Sequence, residues 1–263
     1  MFAIAYPAID PIAIEIGPIV IRWYALAYVV SILISWRYMI RLVRRSTGKI
    51  QSAHIDDLIV WATLGIILGG RIGYTMFYKP AYFLDNPFEI LAIWRGGMSF
   101  HGGLLGVLIA VYLYTLRRKI GFVLLGDIVV CAAPIGLIFG RIANFINGEL
   151  FGRASNASWA MVFPHGGSEP RHPSQLYEAG LEGLVLFAVL AWLVYRTRAL
   201  ERPGLLSGVF FAGYGIARII AEMFREPDAH LGFLAAGTTM GQLLSLPLVI
   251  IGAWLVHRAL RML

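Results

Sequence analysis

The chain has 263 residues, of which 59% are apolar and only 14% are charged, and its mean hydropathy is +0.73. Soluble domains contain roughly 45–50% apolar and about 25% charged residues, so this chain has too little polar surface to cover a water-soluble globule. The composition argues against a soluble enzyme, a disordered protein and a nucleic-acid-binding domain. It predicts an all-α membrane protein that crosses the bilayer several times.

Seven apolar stretches are long enough for a transmembrane helix, which needs about 20 residues to cross the hydrocarbon core. In chain order these predicted spans are 19–37, 57–78, 97–116, 121–141, 175–195, 204–222 and 238–257. No cationic segment precedes the first apolar run. We therefore expect the first helix to be retained rather than removed as a signal peptide.

Basic residues follow every odd-numbered span and set the predicted orientation. They are Arg37, Arg41, Arg44, Arg45 and Lys49, then Arg117, Arg118 and Lys119, then Arg196, Arg198 and Arg202, and finally Arg258 and Arg261. Cytoplasmic loops are enriched in Lys and Arg, so the N-terminus is predicted outside and the C-terminus inside. The net charge of +7 is then a topology signal and gives no reason to expect nucleic acid as a partner.

The pattern predicts one integral membrane domain over 1–263, with a small outer cap built from loops. The cap segments are about 1–18, 79–96 and 148–174, of which 79–96 is predicted to form an interfacial helix. The single cysteine, Cys131, excludes an internal disulfide. No Cys or His spacing suits a zinc site, and neither a metal nor another cofactor is expected.

Three arginines lie inside predicted spans, where a charged side chain is costly and marks a candidate functional site. They are Arg71, Arg141 and Arg218, each on an even-numbered span. Arg71 and Arg218 lie about 21 Å from the inner face at 1.5 Å per residue, and Arg141 ends its span on the outer side. These arginines either bind a ligand in the outer half of the bilayer, or reach the headgroups or pair with the nearby acids Glu178, Glu182 and Glu222.

An arginine cluster at this depth is suited to a phosphate, because guanidinium offers a planar fork of donors and keeps its charge in a low-dielectric setting. A phospholipid headgroup is the phosphate expected there. His101 begins the third span and is a candidate general base, since imidazole titrates near neutrality. Without a further motif, a lipid enzyme and a lipid transporter both remain open.

The densest polar run, from Gly140 to Gly152, decides between them. It reads Gly-Arg-Ile-Ala-Asn-Phe-Ile-Asn-Gly-Glu-Leu-Phe-Gly and resembles the signature of the prolipoprotein diacylglyceryl transferases, although Ala143 stands where Gly is commoner. Other segments resemble that family as well: PIVIRWY at 18–24, His-Gly-Gly at 101–103, RHPSQLYE at 171–178, and Tyr214-Gly-Ile-Ala-Arg218 with Glu222 and Arg225-Glu-Pro-Asp228. The resemblance covers almost the whole chain.

The resemblance implies an enzyme in the bacterial cytoplasmic membrane, active at its outer leaflet. Such enzymes transfer the diacylglyceryl group of phosphatidylglycerol to the lipobox cysteine thiol of a prolipoprotein and release glycerol 1-phosphate. It implies catalytic roles for Arg141, Arg218 and His101. The predicted substrate-binding residues are Arg141, Asn144, Tyr24, Tyr214, Gly152, Glu149, Arg71 and Glu222. Glu149 is expected to fix an arginine rather than to act as a base.

Two other functions fit part of the pattern. An anionic-phospholipid transporter or flippase would explain the arginines, but it predicts polar groups in both leaflets. An intramembrane serine protease would use Ser99 and His101, but residues two apart do not face each other on a helix. The sequence gives no indication of the oligomeric state.

Overall fold

The structure, a computed structural model, describes residues 4–7, 9–17, 19–46, 50–227, 232–234 and 237–261. The α-helices in this part of the chain are α1 (Trp23–Arg45), α2 (Ser52–Phe77), α3 (Pro80–Asp85), α4 (Phe100–Arg118), α5 (Phe122–Ile146), α6 (Ser174–Glu178), α7 (Leu186–Arg196), α8 (Leu205–Glu222) and α9 (Met240–Arg261). A π-helical segment, Ala179–Val185, joins α6 to α7. The strands are β1 (Ile4–Ala5), β2 (Ile12–Ile16), β3 (Ile19–Arg22) and β4 (Met161–Val162).

Each of the seven predicted spans overlaps a long helical stretch, although the start of the first, Ile19–Arg22, is strand β3. Among the described residues, six stretches are long and apolar enough to cross a membrane: α1, α2, α5, the continuous stretch Ser174–Arg196, α8 and α9. The prediction of a helical, multi-pass membrane protein is therefore confirmed. The crossing of α4 and the orientation of the chain stay predictions. Pro18, Lys49 and Asp228, which the sequence patterns include, lie outside the described residues.

The chain divides into two compact units. The first consists of Met1–Met39 and Gly126–Leu263, and the second of Ile40–Leu125. In the second unit, glycines let α2 and α4 approach closely: a Cβ added at Gly65 would lie 2.6 Å from the carbonyl oxygen of Gly106. Small residues at such crossings allow backbone-to-backbone packing where lipid supplies no hydrophobic driving force.

In the first unit, α8 and α9 pack in the same manner, since a Cβ on Gly208 would lie 2.8 Å from the carbonyl oxygen of Gly252. Asp127 on α5 fixes the start of α8: its carboxylate accepts hydrogen bonds from the backbone N–H groups of Gly204 and Ser207, both at 2.7 Å. These donors are two of the N–H groups that a helix leaves unsatisfied at its N-terminus. The contact places α5 beside α8, and both carry arginines of interest.

Two of the predicted cap segments, 1–18 and 148–174, meet in the first unit. Strand β1 pairs in parallel with β4, with Ile4 opposite Met161. Strands β2 and β3 form an antiparallel hairpin that leads directly into α1. Much of 148–174 is held by isolated bridges, including Gly152 to Arg225 and Ala154 to Arg171.

The third cap segment, 79–96, is not a single helix. It forms α3, then the short 3₁₀ turns Pro87–Leu91 and Ile93–Arg95. Proline disfavours helical geometry in the residue before it, and Asn86 accordingly has φ −130° and ψ 64°. The side chains of Phe88 and Trp94 are 88% and 80% exposed, so the segment carries apolar surface. Its interfacial position stays a prediction.

Candidate active site

Three arginines and three glutamates of the first unit form a network of ion pairs, named here the Arg–Glu cluster. Its members are Arg141 on α5, Glu178 in α6, Glu182 in the π-helical segment, Arg218 and Glu222 on α8, and Arg225 just after α8. Oε2 of Glu178 lies 2.9 Å from Nη2 of Arg141 and 2.7 Å from Nη1 of Arg218. Nη1 of Arg225 approaches the same atom at 3.2 Å. Glu178 is therefore the centre of the cluster.

The spacing of the residues explains why they meet. Glu178 and Glu182 are four residues apart, as are Arg218 and Glu222, and residues at this spacing share a helix face. The π-helical segment begins directly after Glu178 and contains Glu182; such segments are rare and occur frequently at functional sites. Gly183 lets α5 approach, because a Cβ there would lie 3.2 Å from the backbone nitrogen of Ile138 and closer still to its side chain.

The carboxylates in these ion pairs are buried, so each needs a partner of opposite charge. The side chains of Glu178 and Glu182 are fully buried, whereas those of Arg141 and Arg218 are 17% and 14% exposed. A buried charge is tolerated only when it is paired. The buried carboxylates thus hold the guanidinium groups, and part of each arginine side chain stays accessible.

Glu222 has its own set of partners. Its Oε1 atom accepts a hydrogen bond from Nη2 of Arg218, and its Oε2 atom accepts one from Oγ1 of Thr239 at 2.7 Å. Gly241 at the start of α9 makes room for this carboxylate, since a Cβ there would lie 2.5 Å from Oε1. Glu222 therefore ties α8 to the beginning of α9 and positions Arg218.

Three of the predicted substrate-binding residues form a second polar group in the first unit. Nδ2 of Asn144 donates to Oε1 of Glu149 at 2.9 Å and to the hydroxyl of Tyr24 at 3.4 Å. Asn147 also donates to Glu149, at 3.4 Å. The expectation that Glu149 fixes an arginine was wrong: the carboxylate bonds that the structure describes for it come from asparagines. Asn144 lies three residues after Arg141 on α5, so the two groups are adjacent along one helix.

Gly152 and Arg153 join the polar loop 148–174 to the end of α8. Nε of Arg153 donates to the carbonyl of Arg225, and its Nη2 atom donates to that of Glu222, both at 2.9 Å. A Cβ on Gly152 would lie 2.7 Å from the carbonyl oxygen of His172 and closer still to that of Phe224. The glycine at this motif position is thus required by close backbone packing.

Tyr214 precedes Arg218 by one helical turn on α8. Its ring stacks on Phe210, with the ring centroids 6.0 Å apart and the planes at 16°. Its hydroxyl lies within electrostatic range of Arg141, Arg218 and Glu182. The structure therefore brings this predicted residue to the Arg–Glu cluster.

Arg71, in the second unit, has a different environment. It is buried, and its three nitrogen atoms donate to backbone carbonyls of the segment that follows α3: Glu89, Ile90, Ala92, Gly96 and Gly97. Its guanidinium carbon also lies 5.1 Å from the ring centroid of Phe83. Five N–H donors thus meet five carbonyls. This geometry supports a structural role in holding 89–97, and substrate binding by Arg71 stays a prediction.

His101 lies in the first turn of α4, also in the second unit. Ser99 caps this helix, because its Oγ atom accepts a hydrogen bond from the backbone nitrogen of Gly102 at 3.1 Å. The imidazole side chain is exposed. A catalytic role for His101 stays a prediction.

An aromatic-lined cavity of about 420 Å³ lies on the first unit. Its lining is Trp159, His172, Tyr177, Gly180, Leu181, Val185 and Phe224. Nδ1 of His172 lies 3.0 Å from the hydroxyl of Tyr177, which accepts a hydrogen bond from Nε1 of Trp159 at 2.6 Å. Burial lowers the pKa of His172. Members of the Arg–Glu cluster do not line this cavity, although Tyr177 and Phe224 are each next to one in the chain.

Sequence reasoning located most of the cluster but left out part of it. Glu178, Glu182 and Glu222 were named as partners only in the alternative interpretation of the arginines, and they do form ion pairs with Arg141 or Arg218. Arg225 was named only as part of a motif, and Arg153 was not singled out at all. The signal for Arg225 was its position three residues after Glu222, which puts both on one side of a helical turn.

The family model described as prolipoprotein diacylglyceryl transferase matches residues 11–258. The chain is 60% identical over 261 residues to a phosphatidylglycerol–prolipoprotein diacylglyceryl transferase of Paramagnetospirillum magneticum, covering 99% of this chain and 97% of the relative. Proteins of the same name from Azospirillum brasilense and Rhodospirillum rubrum are 57% and 60% identical, over 99% and 96% of this chain and 98% and 93% of their own lengths. The chain therefore belongs to the prolipoprotein diacylglyceryl transferase family.

Proposed function

We propose that this protein transfers the diacylglyceryl group of phosphatidylglycerol to the lipobox cysteine thiol of a prolipoprotein. The products are a thioether-linked protein and glycerol 1-phosphate, and the reaction is the first step of lipoprotein maturation. The names of relatives at 53–60% identity support the substrates. The observation in this chain that carries the proposal is the meeting of Arg141 and Arg218 on one buried carboxylate.

The two arginines can stabilise the negative charge that develops on the phosphate during this reaction. The thiol attacks the glycerol carbon that is bonded to the phosphate oxygen, and the C–O bond breaks. The phosphodiester carries one negative charge, whereas the departing phosphomonoester carries about 1.5 to 2. Preorganised cations in a site that excludes water stabilise such growing charge most effectively. Arg141 and Arg218 are assigned this role.

The donors of Arg141 are well placed for a phosphate. A guanidinium has five N–H donors, and the ion pairs of Arg141 with the described residues all involve Nη2. Its Nε and Nη1 groups take no part in these pairs and can therefore donate to the oxygens of a phosphate. Glu222 then acts as a positioning residue, because it holds Arg218 from the next helical turn.

Neutral groups complete the proposed substrate site. Asn144 and Tyr24 are hydrogen-bonded to each other and, with Tyr214, can donate to the phosphate or to the headgroup glycerol. Glu149 orients Asn144, and Gly152 fixes the loop that carries Arg153. His101 is proposed to act on the incoming thiol, either as its base or by orienting it. Arg71 is retained as a proposed contributor to substrate binding.

We place the site at the outer leaflet of the bacterial cytoplasmic membrane, with the N-terminus outside and the C-terminus inside. The distribution of Lys and Arg among the connections supports this orientation. Cysteine substitution in loops at residues 169 and 201, followed by labelling of intact spheroplasts with a membrane-impermeant maleimide, tests it. We expect label at 169 and none at 201.

A purified-component assay tests the function. The detergent-solubilised protein is incubated with phosphatidylglycerol and a lipobox peptide, and the peptide is weighed by mass spectrometry. We expect a mass increase of one diacylglyceryl group and the release of glycerol 1-phosphate. An unmodified peptide, together with movement of labelled phosphatidylglycerol between the leaflets of reconstituted vesicles, would instead assign the cluster to an anionic-lipid transporter.

A further inference from the structure

The three glutamates of the Arg–Glu cluster are not equally compensated. Glu178 contacts three guanidinium groups at 2.7–3.2 Å, and Glu222 is hydrogen-bonded through both oxygens. The ionic contacts of Glu182 with the described residues are long, 3.5 Å from Oε1 to Arg218 and 3.7 Å from Oε2 to Arg141. Its side chain is fully buried, and Oε2 accepts no hydrogen bond from the described residues.

A buried carboxylate oxygen without a hydrogen bond is unfavourable, and native proteins seldom retain one without a reason. The weaker the ionic contacts of a carboxylate, the less electrostatic stabilisation it loses when it becomes neutral. Glu182 is thus the cluster member at which a proton can be added with the least disruption of the arginines. Glu178 and Glu222 keep those arginines in place whatever the state of Glu182.

The charge of the cluster gives a second, independent argument. Three arginines and three glutamates sum to a formal charge of zero, so the cluster as it stands carries no excess positive charge for an anion. A lipid phosphodiester brings one negative charge into this site. The phosphomonoester that leaves after the C–O bond breaks carries up to one more negative charge. Neutralising one glutamate during the reaction would give the arginines an uncompensated positive charge when the leaving group needs it.

We propose that the carboxylate of Glu182 accepts the proton of the substrate thiol. The inference rests on the proposed transfer reaction. The S–H proton passes to Glu182 as sulfur bonds to the glycerol carbon, and the electron pair of the broken C–O bond leaves with the phosphate oxygen. Glu182 changes from negatively charged to neutral, and the phosphate gains one negative charge. The total charge of the site is therefore unchanged. Glu182 later returns the proton to the released phosphate or to water.

Glu182 shares its surroundings with a small set of charged and titratable groups. These are Arg141 from α5, Arg218 and Tyr214 from α8, and Glu178 from its own helical stretch. Of these groups, the two arginines keep their charge in all conditions of an assay. This assignment leaves His101 to orient the thiol.

The variant Glu182→Gln tests the proposal, because Gln keeps the shape of the side chain and removes its ability to take a proton. We expect thioether formation from phosphatidylglycerol and a cysteine lipobox peptide to fall by about 10²–10⁴-fold, the usual contribution of general base catalysis. The KM for phosphatidylglycerol should change little. A general base should give the parent a loss of rate at acidic pH, and we expect this loss to be absent from the residual activity of the variant.

A peptide with selenocysteine in place of cysteine separates proton transfer from positioning. A selenol is already deprotonated at neutral pH, so Glu182→Gln should process this peptide at close to the parent rate. Glu182→Asp, which keeps a carboxylate, should retain the acidic limb of the pH profile. Glu201→Gln, an identical change at an exposed position, should match the parent with both peptides.

The outcomes separate this inference from the proposed function. An equal loss with the cysteine and selenocysteine peptides would overturn the proton-transfer role of Glu182, as would parent-like activity with the cysteine peptide. A parent protein that forms no thioether from phosphatidylglycerol at all would overturn the proposed function, and this inference with it.

Discussion

Arg141 and Arg218 come from different helices, yet both lie within hydrogen-bonding distance of the same atom, Oε2 of Glu178, at 2.9 and 2.7 Å. The shared carboxylate fixes the two guanidinium groups relative to each other before any ligand arrives. Preorganisation of this kind means that no reorganisation is needed when charge develops on a substrate. It also means that substitutions at the two arginines should not have additive effects, because they share a partner.

Replacing Arg141 by Lys tests whether the planar fork matters beyond the charge. Lys keeps the positive charge but offers a compact ammonium group without bidentate geometry. We expect the rate of thioether formation to fall by about 10²–10³-fold, comparable to the loss of one donor to a developing oxyanion. Peptide mass measurement in the purified-component assay gives the rate.

Arg118 offers a matched control for that substitution. It pairs with Asp57, but both side chains are substantially exposed, at 47% and 40%, and such surface pairs contribute only about 0–1 kcal/mol. Arg118→Lys should therefore leave the rate within a factor of about two. A parent-like rate for Arg141→Lys would end the assignment of phosphate recognition to its guanidinium fork.

Glu178→Gln should act mainly on stability. The change leaves three arginines facing two carboxylates, and breaking a buried ion pair by removing one partner costs about 3–5 kcal/mol. We expect a clear decrease in the thermal unfolding temperature in detergent. Glu226→Gln is the control, since Glu226 pairs with Arg171 at 3.0 Å but is 47% exposed. Equal unfolding temperatures for the two variants would contradict the central role of Glu178.

The helical framework could be predicted because apolar length alone signals a membrane helix. The polar cluster could be predicted only in part. Charged residues are rare inside apolar spans, so Arg141 and Arg218 could be recognised from the sequence as candidate functional residues. Their pairing geometry depends on the π-helical segment Ala179–Val185, whereas the apolar pattern predicted only a transmembrane helix over 175–195. Arg71 illustrates the limit: its carbonyl partners come from a loop whose path is set by Pro87 and the positive φ angles of Gly96 and Gly97.

His101 is expected to affect the reaction without setting its pH dependence. With Glu182 as the proton acceptor, His101→Gln should lower the rate by one constant factor across the pH range, up to about 100-fold for misplacement of a reacting group. Rates measured between pH 6 and 9 check this. Recovery of the variant at high pH would assign the proton transfer to His101 instead.

Gly152→Ala should destabilise the junction between the polar loop and α8. The added methyl group would meet the carbonyl oxygens of His172 and Phe224, which are backbone atoms and cannot rotate away. Overpacking of this kind costs about 1–3 kcal/mol. Gly136→Ala, on α5, is the control, because its Cβ would meet nothing within 4 Å. Thermal unfolding should separate the two variants, and a Gly152→Ala protein as stable as the parent would contradict the packing argument.

His172 should make the stability of the protein depend on pH. Burial lowers its pKa in the folded state below the value near 6.5 that it has when unfolded, so the unfolded state binds more protons in acid. The free energy of unfolding should therefore decrease as the pH falls below about 6.5 and level off below the folded pKa. Thermal unfolding of the parent and of His172→Gln at pH 7.5 and 5.5 measures this, and we expect the pH effect to shrink in the variant. His165→Gln, at an exposed position, should behave like the parent, and an undiminished pH effect in His172→Gln would show that other groups dominate.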